Sequence, residues 1–274
     1  MKHLPNFLTC LNLLCGCIGI VFAFEGNLVW SAYMVGIAAV LDFLDGFLAR
    51  LLNVRSEIGK QLDSLADMVT FGVLPGVVMY KLISISVDIS WLFEGSDDAF
   101  VHYFGRPIMY LFPYFGFIIP VFSAIRLAKF NIDTRQADNF IGLPTPANAI
   151  FLSSIGLCLF ESAGLDGLFF LINHDQLANV DIEMLKSWPN YLNVILYPGF
   201  LIGLTIIMSL LLIAPLPLFA LKFKSFAWKG NEIRYIFLLS CIFLVVLFGY
   251  AGISFSIITY MLLSLVNNFL NRNP

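Results

Sequence analysis

The sequence contains few charged residues. Of its 274 residues only 12% are charged, while 59% are hydrophobic, and the mean hydropathy is +0.89. Soluble domains carry about 25% charged and roughly 45–50% apolar residues. Half the usual charge cannot cover the surface of a water-soluble globule. The composition therefore excludes a soluble domain and indicates a protein whose solvent is lipid.

Histidines, paired cysteines and basic runs are also scarce. The three histidines, His3, His102 and His174, lie in polar loops, so acid–base chemistry within the membrane must use carboxylates. The five cysteines lie in apolar stretches without a C-x-x-C pair, which favours buried free thiols over a disulfide or a metal site. The net charge is −3 and no Lys/Arg run exists, so we expect no nucleic-acid partner.

Long apolar segments dominate what is present. A membrane-spanning helix needs about 20 predominantly apolar residues. Eight segments meet this condition: 6–24, 28–51, 63–87, 107–130, 145–172, 191–213, 233–250 and 252–270. The chain has no internal repeat and no low-complexity tract. We therefore predict an all-α integral membrane protein with a single transmembrane domain over residues 1–274, made of core helices over 6–213 and two extra helices over 233–270.

The distribution of positive charge predicts the orientation in the membrane. If the N-terminus is cytoplasmic, only Lys81, Arg106 and Lys186 of the 15 Lys and Arg residues fall in outer loops. Cytoplasmic loops carry the excess of Lys and Arg in membrane proteins. We therefore expect both termini on the cytoplasmic side.

Four aspartates lie near the cytoplasmic ends of the second and third apolar segments. Asp42 and Asp45 are three residues apart and Asp63 and Asp67 are four apart, so each pair shares a helix face. A tight loop makes the two helices antiparallel neighbours and brings the pairs together. Clustered carboxylates beside hydrocarbon repel one another unless a cation or protonation relieves the charge. Oxygen ligands suit Mg²⁺, Mn²⁺ or Ca²⁺, and four carboxylates are enough for a two-metal site that clamps a phosphoryl group.

Small residues share the faces that carry the aspartates. Gly46, Ala49 and Gly59 leave a groove where a ligand can reach the backbone, and Arg50 offers a forked donor suited to phosphate. The alternative interpretation is that small residues only allow close helix packing. A single Asp would likewise be explained by a helix–helix hydrogen bond. Four Asp and an Arg at two adjacent helix ends favour a functional site.

The order Asp42-x2-Asp45-Gly46-x2-Ala49-Arg50-x8-Gly59-x3-Asp63-x3-Asp67 resembles the complete signature of the CDP-alcohol phosphatidyltransferases. The resemblance implies a helical membrane enzyme with six core helices, usually a homodimer, in which an alcohol displaces CMP from a CDP-activated lipid. The resemblance also implies a role for each residue of the signature. Two divalent ions are held on the pyrophosphate by Asp42, Asp45, Asp63 and Asp67, and the cytidine nucleotide is received by Gly46, Ala49, Arg50 and Gly59. Asp67 is also implied as the base for the attacking hydroxyl. Direct displacement is our default, and a covalent intermediate stays open.

Further segments resemble the serine-transferring branch of that family. They are residues 4–9, 63–72, 126–131 and 142–146. The glycerophosphate and cardiolipin branches typically have Pro and Lys where this chain has Ser64 and Met68. The resemblance implies CDP-diacylglycerol and L-serine as substrates and CMP as a product. Glycerol 3-phosphate, inositol phosphate and choline are the alternative acceptors for the same chemistry.

Two cations lie at the end of the fourth apolar segment. Arg126 and Lys129 are candidates for binding the carboxylate of the acceptor or a lipid phosphate, and Lys129 stands where the branch often has Arg. The alternative for both is a positive-inside residue that flanks a helix. All candidate site residues fall at one membrane face. We expect a multi-pass protein of the cell (inner, cytoplasmic) membrane with its active site facing the cytoplasm.

Two other classes of function compete with the enzyme. Intramembrane ionisable residues commonly mark a cation-coupled transporter, whose sites lie near the bilayer midplane between inverted repeats. Here no repeat is visible and the aspartates lie at helix ends. A purely structural protein would leave the repulsion among the four aspartates without compensation. We therefore expect an enzyme that needs Mg²⁺ or Mn²⁺, with Ca²⁺ as a further possible occupant.

Overall fold

The chain is described by a computed structural model for residues 3–54, 56–92, 108–132, 139–172, 190–219, 227–228 and 230–270. The helices are α1 (Leu4–Phe24), α2 (Leu28–Leu51), α3 (Glu57–Asp67), α4 (Leu74–Leu92), α5 (Ile118–Ile132), α6 (Thr145–Ile172), α7 (Asn190–Ile195), α8 (Pro198–Ile213), α9 (Glu232–Phe248) and α10 (Ala251–Leu270). A π-helical segment, Met68–Val73, joins α3 to α4 without a break, and a 3₁₀ turn, Phe112–Phe117, leads into α5.

Short capped connections make the first three helices neighbours. Asn27 accepts a hydrogen bond from the backbone N–H of Trp30 and so begins α2 directly after α1. Ser56 caps α3 in the same way by accepting from the backbone N–H of Gly59 at 3.0 Å. Because each connection is only a few residues long, the three helices stay close together, and α1 packs against both α2 and α3.

The architecture is that of a helical integral membrane protein. Within the described ranges, five helical stretches are long and apolar enough to cross a membrane: Leu4–Phe24, Leu28–Leu51, Glu57–Ser90, Phe112–Ile132 and Ala251–Phe269. Shorter apolar helices cover Thr145–Glu161 and Pro198–Ile213. Each of the eight predicted segments therefore contains helix, while eight complete crossings and the cytoplasmic position of both termini stay predictions.

The continuous helix through α3, the π segment and α4 lies at the centre of the bundle. Its apolar window is 61% buried, against 22–28% for the other four spanning stretches. Leu74, Val78 and Met79 are fully buried there. The outer helices instead expose large apolar side chains, such as Val246, which is 82% exposed on α9. Exposed apolar surface of this extent is the surface that hydrocarbon covers.

The all-α prediction is incomplete, because two short strands pair. Strand β1 (Asn139–Ile141) runs antiparallel to β2 (Pro217–Phe219), with Asn139 opposite Phe219. Gly142 then donates its backbone N–H to Leu216 O at 2.9 Å with φ of +81°, a conformation that glycine adopts readily. The strand pair therefore hydrogen-bonds the connection between α5 and α6 to the segment that follows α8. Strands of three residues are too short to produce a recognisable pattern in the sequence.

Candidate active site

Three of the four predicted aspartates converge. Asp42 on α2 and Asp63 and Asp67 on α3 each bring one carboxylate oxygen into a group whose members lie within 4.8 Å of one another. Asp63 and Asp67 are one helical turn apart, and the short connection after α2 places their face opposite Asp42. All three side chains are half-buried. Their negative charges are therefore close together and only partly screened by solvent.

Asp45 lies beside this group and has its own partner. Its side chain is 5% exposed, and its Oδ2 accepts a hydrogen bond of 2.6 Å from the hydroxyl of Thr9 on α1. The charge of Asp45 acts on each of the other three aspartates. The structure thus brings all four predicted carboxylates together. Three of them form one cluster, and the fourth, Asp45, is hydrogen-bonded to α1 beside it.

A cavity of about 460 Å³ opens next to the aspartates. The predicted nucleotide residues Gly46, Ala49 and Gly59 line it, together with Asp45 and Asp63. Its remaining wall comes from the start of α1, the α2–α3 connection and the first turn of α3. Asp63 belongs both to the wall and to the aspartate cluster. A ligand in the cavity would therefore lie against the carboxylates.

The two glycines of the cavity have different local environments. A Cβ added at Gly59 would lie 2.9 Å from Oδ1 of Asn6 and 3.0 Å from Oγ of Ser56. A side chain at this position would therefore force the ends of the Asn6 and Ser56 side chains to shift. A Cβ at Gly46 would meet only Nη1 of Arg50, at 3.6 Å. Packing does not explain Gly46, and its open side faces the cavity.

The three predicted cations differ strongly in burial. Arg126 is 7% exposed on α5, and its Nε and Nη2 are buried without a hydrogen-bond partner among the described residues. The guanidinium lies within electrostatic range of Asp67. Lys129, one turn further along α5, is exposed, and so is Arg50 at the end of α2. Neither of these two exposed cations is part of the cavity wall.

Comparison with known proteins agrees with this geometry. The family model for CDP-alcohol phosphatidyltransferase matches residues 2–180. The chain belongs to this family. The match covers α1 to α6, so it includes the aspartate cluster, the cavity and Arg126, while α7 to α10 lie beyond it. The predicted family is therefore confirmed.

Relatives from three organisms have names that refer to serine or to a serine lipid. A CDP-diacylglycerol–serine O-phosphatidyltransferase of Helicobacter pylori (strain J99) is 31% identical over 244 residues, which cover 86% of this chain and 92% of the relative. A protein of the same name from Bacillus subtilis (strain 168) is 31% identical over 150 residues, covering 53% of this chain and 71% of the relative. The archaetidylserine synthase of Methanothermobacter thermautotrophicus is 32% identical over 183 residues, covering 66% and 68%.

The donor atoms of this phosphatidyltransferase fit the divalent metal ions that its family uses. The cluster of Asp42, Asp63 and Asp67 offers only carboxylate oxygens. Oxygens bound to one Mg²⁺ or Ca²⁺ lie about 2.0–2.6 Å from the ion and hence at most about 5 Å from one another. The observed group satisfies that limit. The oxygen-only set favours a hard cation over zinc.

Two polar residues of α1 are site residues that the sequence analysis missed. Thr9 donates to Asp45, and Asn12 donates from Nδ2 to Oδ1 of Asp67 at 3.4 Å. Both are buried on one face of α1. The signal was present in the sequence, because two polar residues three positions apart interrupt an apolar helix. It is weak, since single Thr and Asn residues are common in membrane helices as packing contacts.

A second missed contact joins α3 to α5. Asn131 donates from Nδ2 to Oγ of Ser64 at 2.8 Å, and its carbonyl oxygen accepts from Nζ of Lys60 at 3.1 Å. Ser64 and Asn131 both belong to the segments that resemble the serine branch. These segments therefore meet in the fold, and their contact holds the helix of Arg126 against the helix of Asp67.

Proposed function

We propose that this protein is a phosphatidylserine synthase, which transfers the phosphatidyl group of CDP-diacylglycerol to the hydroxyl of L-serine and releases CMP. The observation that carries the proposal is the convergence of Asp42, Asp63 and Asp67 beside a 460 Å³ cavity, in a family member whose relatives are named for this reaction. Both features lie within the part of the chain that matches the family.

The donor substrate is assigned to the cavity. Gly46, Ala49 and Gly59 receive the cytidine nucleotide. Arg50, whose Nη1 would lie 3.6 Å from a Cβ at Gly46, provides a donor for its phosphates. The ligands for two Mg²⁺ or Mn²⁺ ions are Asp42, Asp45, Asp63 and Asp67, and Ca²⁺ is a further possible occupant. When bound, such ions neutralise the pyrophosphate and stabilise CMP as a leaving group.

The acceptor is assigned to the side of the cluster that faces α5. Asp67 accepts the proton of the serine hydroxyl while the hydroxyl oxygen attacks the phosphorus attached to diacylglycerol. The bond from that phosphorus to the oxygen of CMP breaks, and CMP leaves with the electron pair. Arg126 binds the serine carboxylate, because its buried Nε and Nη2 have no acceptor among the described residues. Lys129 adds a second, exposed positive charge at the end of the same helix.

The membrane arrangement extends the proposal. Eight spans with both termini in the cytoplasm place every site residue at the cytoplasmic face of the cell membrane, where serine is available. The homodimer follows from the family resemblance alone. The extra C-terminal helices then flank the six-helix core.

An acceptor panel tests the function. Detergent-purified protein is given CDP-diacylglycerol and Mn²⁺ or Mg²⁺ with L-serine, glycerol 3-phosphate, inositol phosphate or choline, and CMP release is measured. We expect release with L-serine only, loss of release after chelation, and recovery when Mn²⁺ or Mg²⁺ is restored. CMP release with another alcohol and not with serine would contradict the acceptor. Cation flux in liposomes without any lipid product would instead support a transporter.

A further inference from the structure

One face of α1 runs along the aspartates. Thr9, Asn12 and Gly16 are buried on this face, which packs against α2, α3 and the π segment. Thr9 contacts Asp45 beside the nucleotide cavity. Asn12 lies three residues, or about 4.5 Å, further along the helix, and it contacts Asp67. The first helix thus reaches the donor side of the site with Thr9 and the side of the proposed base with Asn12.

The position of Asn12 is fixed by its surroundings. Its backbone carbonyl accepts a hydrogen bond of 3.1 Å from the hydroxyl of Thr70 in the π segment. Thr70 can approach because residue 16 is glycine, since a Cβ there would overlap the Thr70 side chain. The amide of Asn12 is oriented by its donation to Asp67. Oδ1 of the same amide has no hydrogen-bond partner among the described residues.

Two residues that interact with Asp67 carry unpaired polar atoms. Oδ1 of Asn12, in a side chain that is 0% exposed, is buried without a donor among the described residues. Nε and Nη2 of Arg126 are buried without an acceptor. Asn12 touches Asp67 directly, and Arg126 interacts with it electrostatically. Leaving such groups unpaired is unfavourable, which points to a ligand that supplies both a donor and an acceptor.

We propose that Oδ1 of Asn12 accepts a hydrogen bond from the ammonium group of the acceptor alcohol and thereby selects an amino acid. The proposal rests on the proposed function, because it assigns the subsite of its acceptor. A complementary ligand needs an N–H donor for Asn12, an anionic acceptor for Arg126 and a hydroxyl for Asp67. L-Serine carries all three groups. Glycerol 3-phosphate and inositol phosphate lack a cationic N–H donor, and the quaternary nitrogen of choline has no hydrogen to donate.

The test compares two acceptors that differ only in the ammonium group. L-Serine and 3-hydroxypropionate are each assayed with wild-type protein and with Asn12→Leu, which has a similar volume and no polar atom. We expect the ratio of kcat/KM for serine over 3-hydroxypropionate to fall by at least about tenfold in the variant, because a hydrogen bond to a charged group is lost. The KM for CDP-diacylglycerol is expected to stay near its wild-type value.

Controls separate recognition from general damage. Ser209→Ala removes a buried hydroxyl of α8 whose hydrogen bond, among the described residues, goes to Thr205 O of the same helix, and we expect an unchanged acceptor ratio. If Asn12→Leu does not fold, Asn12→Ser keeps a polar group that is too short to reach the same ligand atom. An equal loss with both acceptors would overturn the proposal, because Asn12 would then act only through Asp67. A wild-type protein that does not use serine would refute the proposed function instead.

Discussion

Asp67 is the aspartate that touches both proposed halves of the site. It shares the cluster with Asp42 and Asp63, accepts from Asn12 and interacts with Arg126. Asp67→Asn keeps the size of the side chain and removes the base. We expect kcat to fall on the order of 10²- to 10⁴-fold, the usual contribution of a general base. CDP-diacylglycerol binding should survive through the other three aspartates. CMP release and nucleotide binding by calorimetry check this, and near-normal turnover would remove Asp67 from the role.

Arg126 and Lys129 form a matched pair, since they lie one turn apart on α5 with opposite burial. Arg126→Ala is expected to raise the serine KM on the order of tenfold or more, because hydrogen bonds to charged groups contribute about 1.5–3 kcal/mol. Lys129→Ala should have a smaller effect, since solvent screens an exposed charge. Steady-state kinetics with serine varied at saturating CDP-diacylglycerol measure both. Equal serine KM values in the two variants would assign Arg126 to the flanking charges of the helix.

The aspartate site was predictable because its spacing is regular. Residues three and four apart share a helix face, and a short loop keeps the two helices close enough for those faces to meet. The convergence of Asp42, Asp63 and Asp67 follows from those two facts. Thr9 and Asn12 were not predictable in the same way, because they belong to a helix that is distant in the sequence. Only the packing of α1 against α2 and α3 shows which aspartate each one contacts.

The close contact between α1 and the π segment depends on Gly16, which has no side chain. A Cβ at Gly16 would lie about 3 Å from the backbone and the Cβ of Thr70, whereas a Cβ at Gly36 on α2 would meet nothing within 4 Å. Gly16→Ala is therefore expected to destabilise the protein by about 1–3 kcal/mol, the usual cost of overpacking. Gly36→Ala, in a helix of similar length, should be neutral or stabilising, since alanine favours helix over glycine.

Thermal unfolding in detergent distinguishes these two variants. A lower Tm for Gly16→Ala with an unchanged or higher Tm for Gly36→Ala is the expected result. Gly16→Ala also displaces Thr70, whose hydroxyl holds the backbone of Asn12, so its serine KM should rise as well. Equal Tm values for both variants would mean that α1 and the π segment can separate without cost, contrary to the packing seen here.

Hydropathy located the helices better than it located their ends. The second segment was predicted at 28–51 and α2 spans Leu28–Leu51, because polar residues bound the apolar run on both sides. The third helix begins at Glu57 rather than at residue 63, since the Ser56 cap starts it within a polar stretch. The predicted helix over 191–213 is divided before Pro198, whose ring cannot donate a backbone hydrogen bond. The π segment after Asp67 has no hydropathy signature at all.

The position of the aspartates in the fold and the distribution of Lys and Arg both bear on the orientation in the membrane. The aspartates lie on the parts of α2 and of the continuous helix Glu57–Ser90 that are nearer to the α2–α3 connection, on the side opposite to the connection between α1 and α2. A substrate from the cytosol can reach the cluster only if the α2–α3 connection is cytoplasmic. Twelve of the 15 Lys and Arg residues fall on that side when the N-terminus is inside. With all eight predicted segments crossing the membrane, the chemistry of the site and the positive-inside rule therefore predict the same orientation.

Cysteine labelling tests this orientation directly. In a variant without the five native cysteines, Glu25→Cys lies in the α1–α2 connection and Asn53→Cys in the α2–α3 connection. Both changes fall in exposed turns outside the helices, so neither should disturb packing. Asn53 has φ of +51°, a conformation that Asn adopts more readily than Cys, so Asn53→Cys adds a modest backbone strain. We expect a membrane-impermeant maleimide to label Glu25→Cys in intact spheroplasts and Asn53→Cys only after lysis, with CMP release retained in both. Labelling of Asn53→Cys from outside would place the aspartates on the wrong face for cytosolic serine, and the proposed synthesis on the cytoplasmic side would have to be abandoned even if the family chemistry stands.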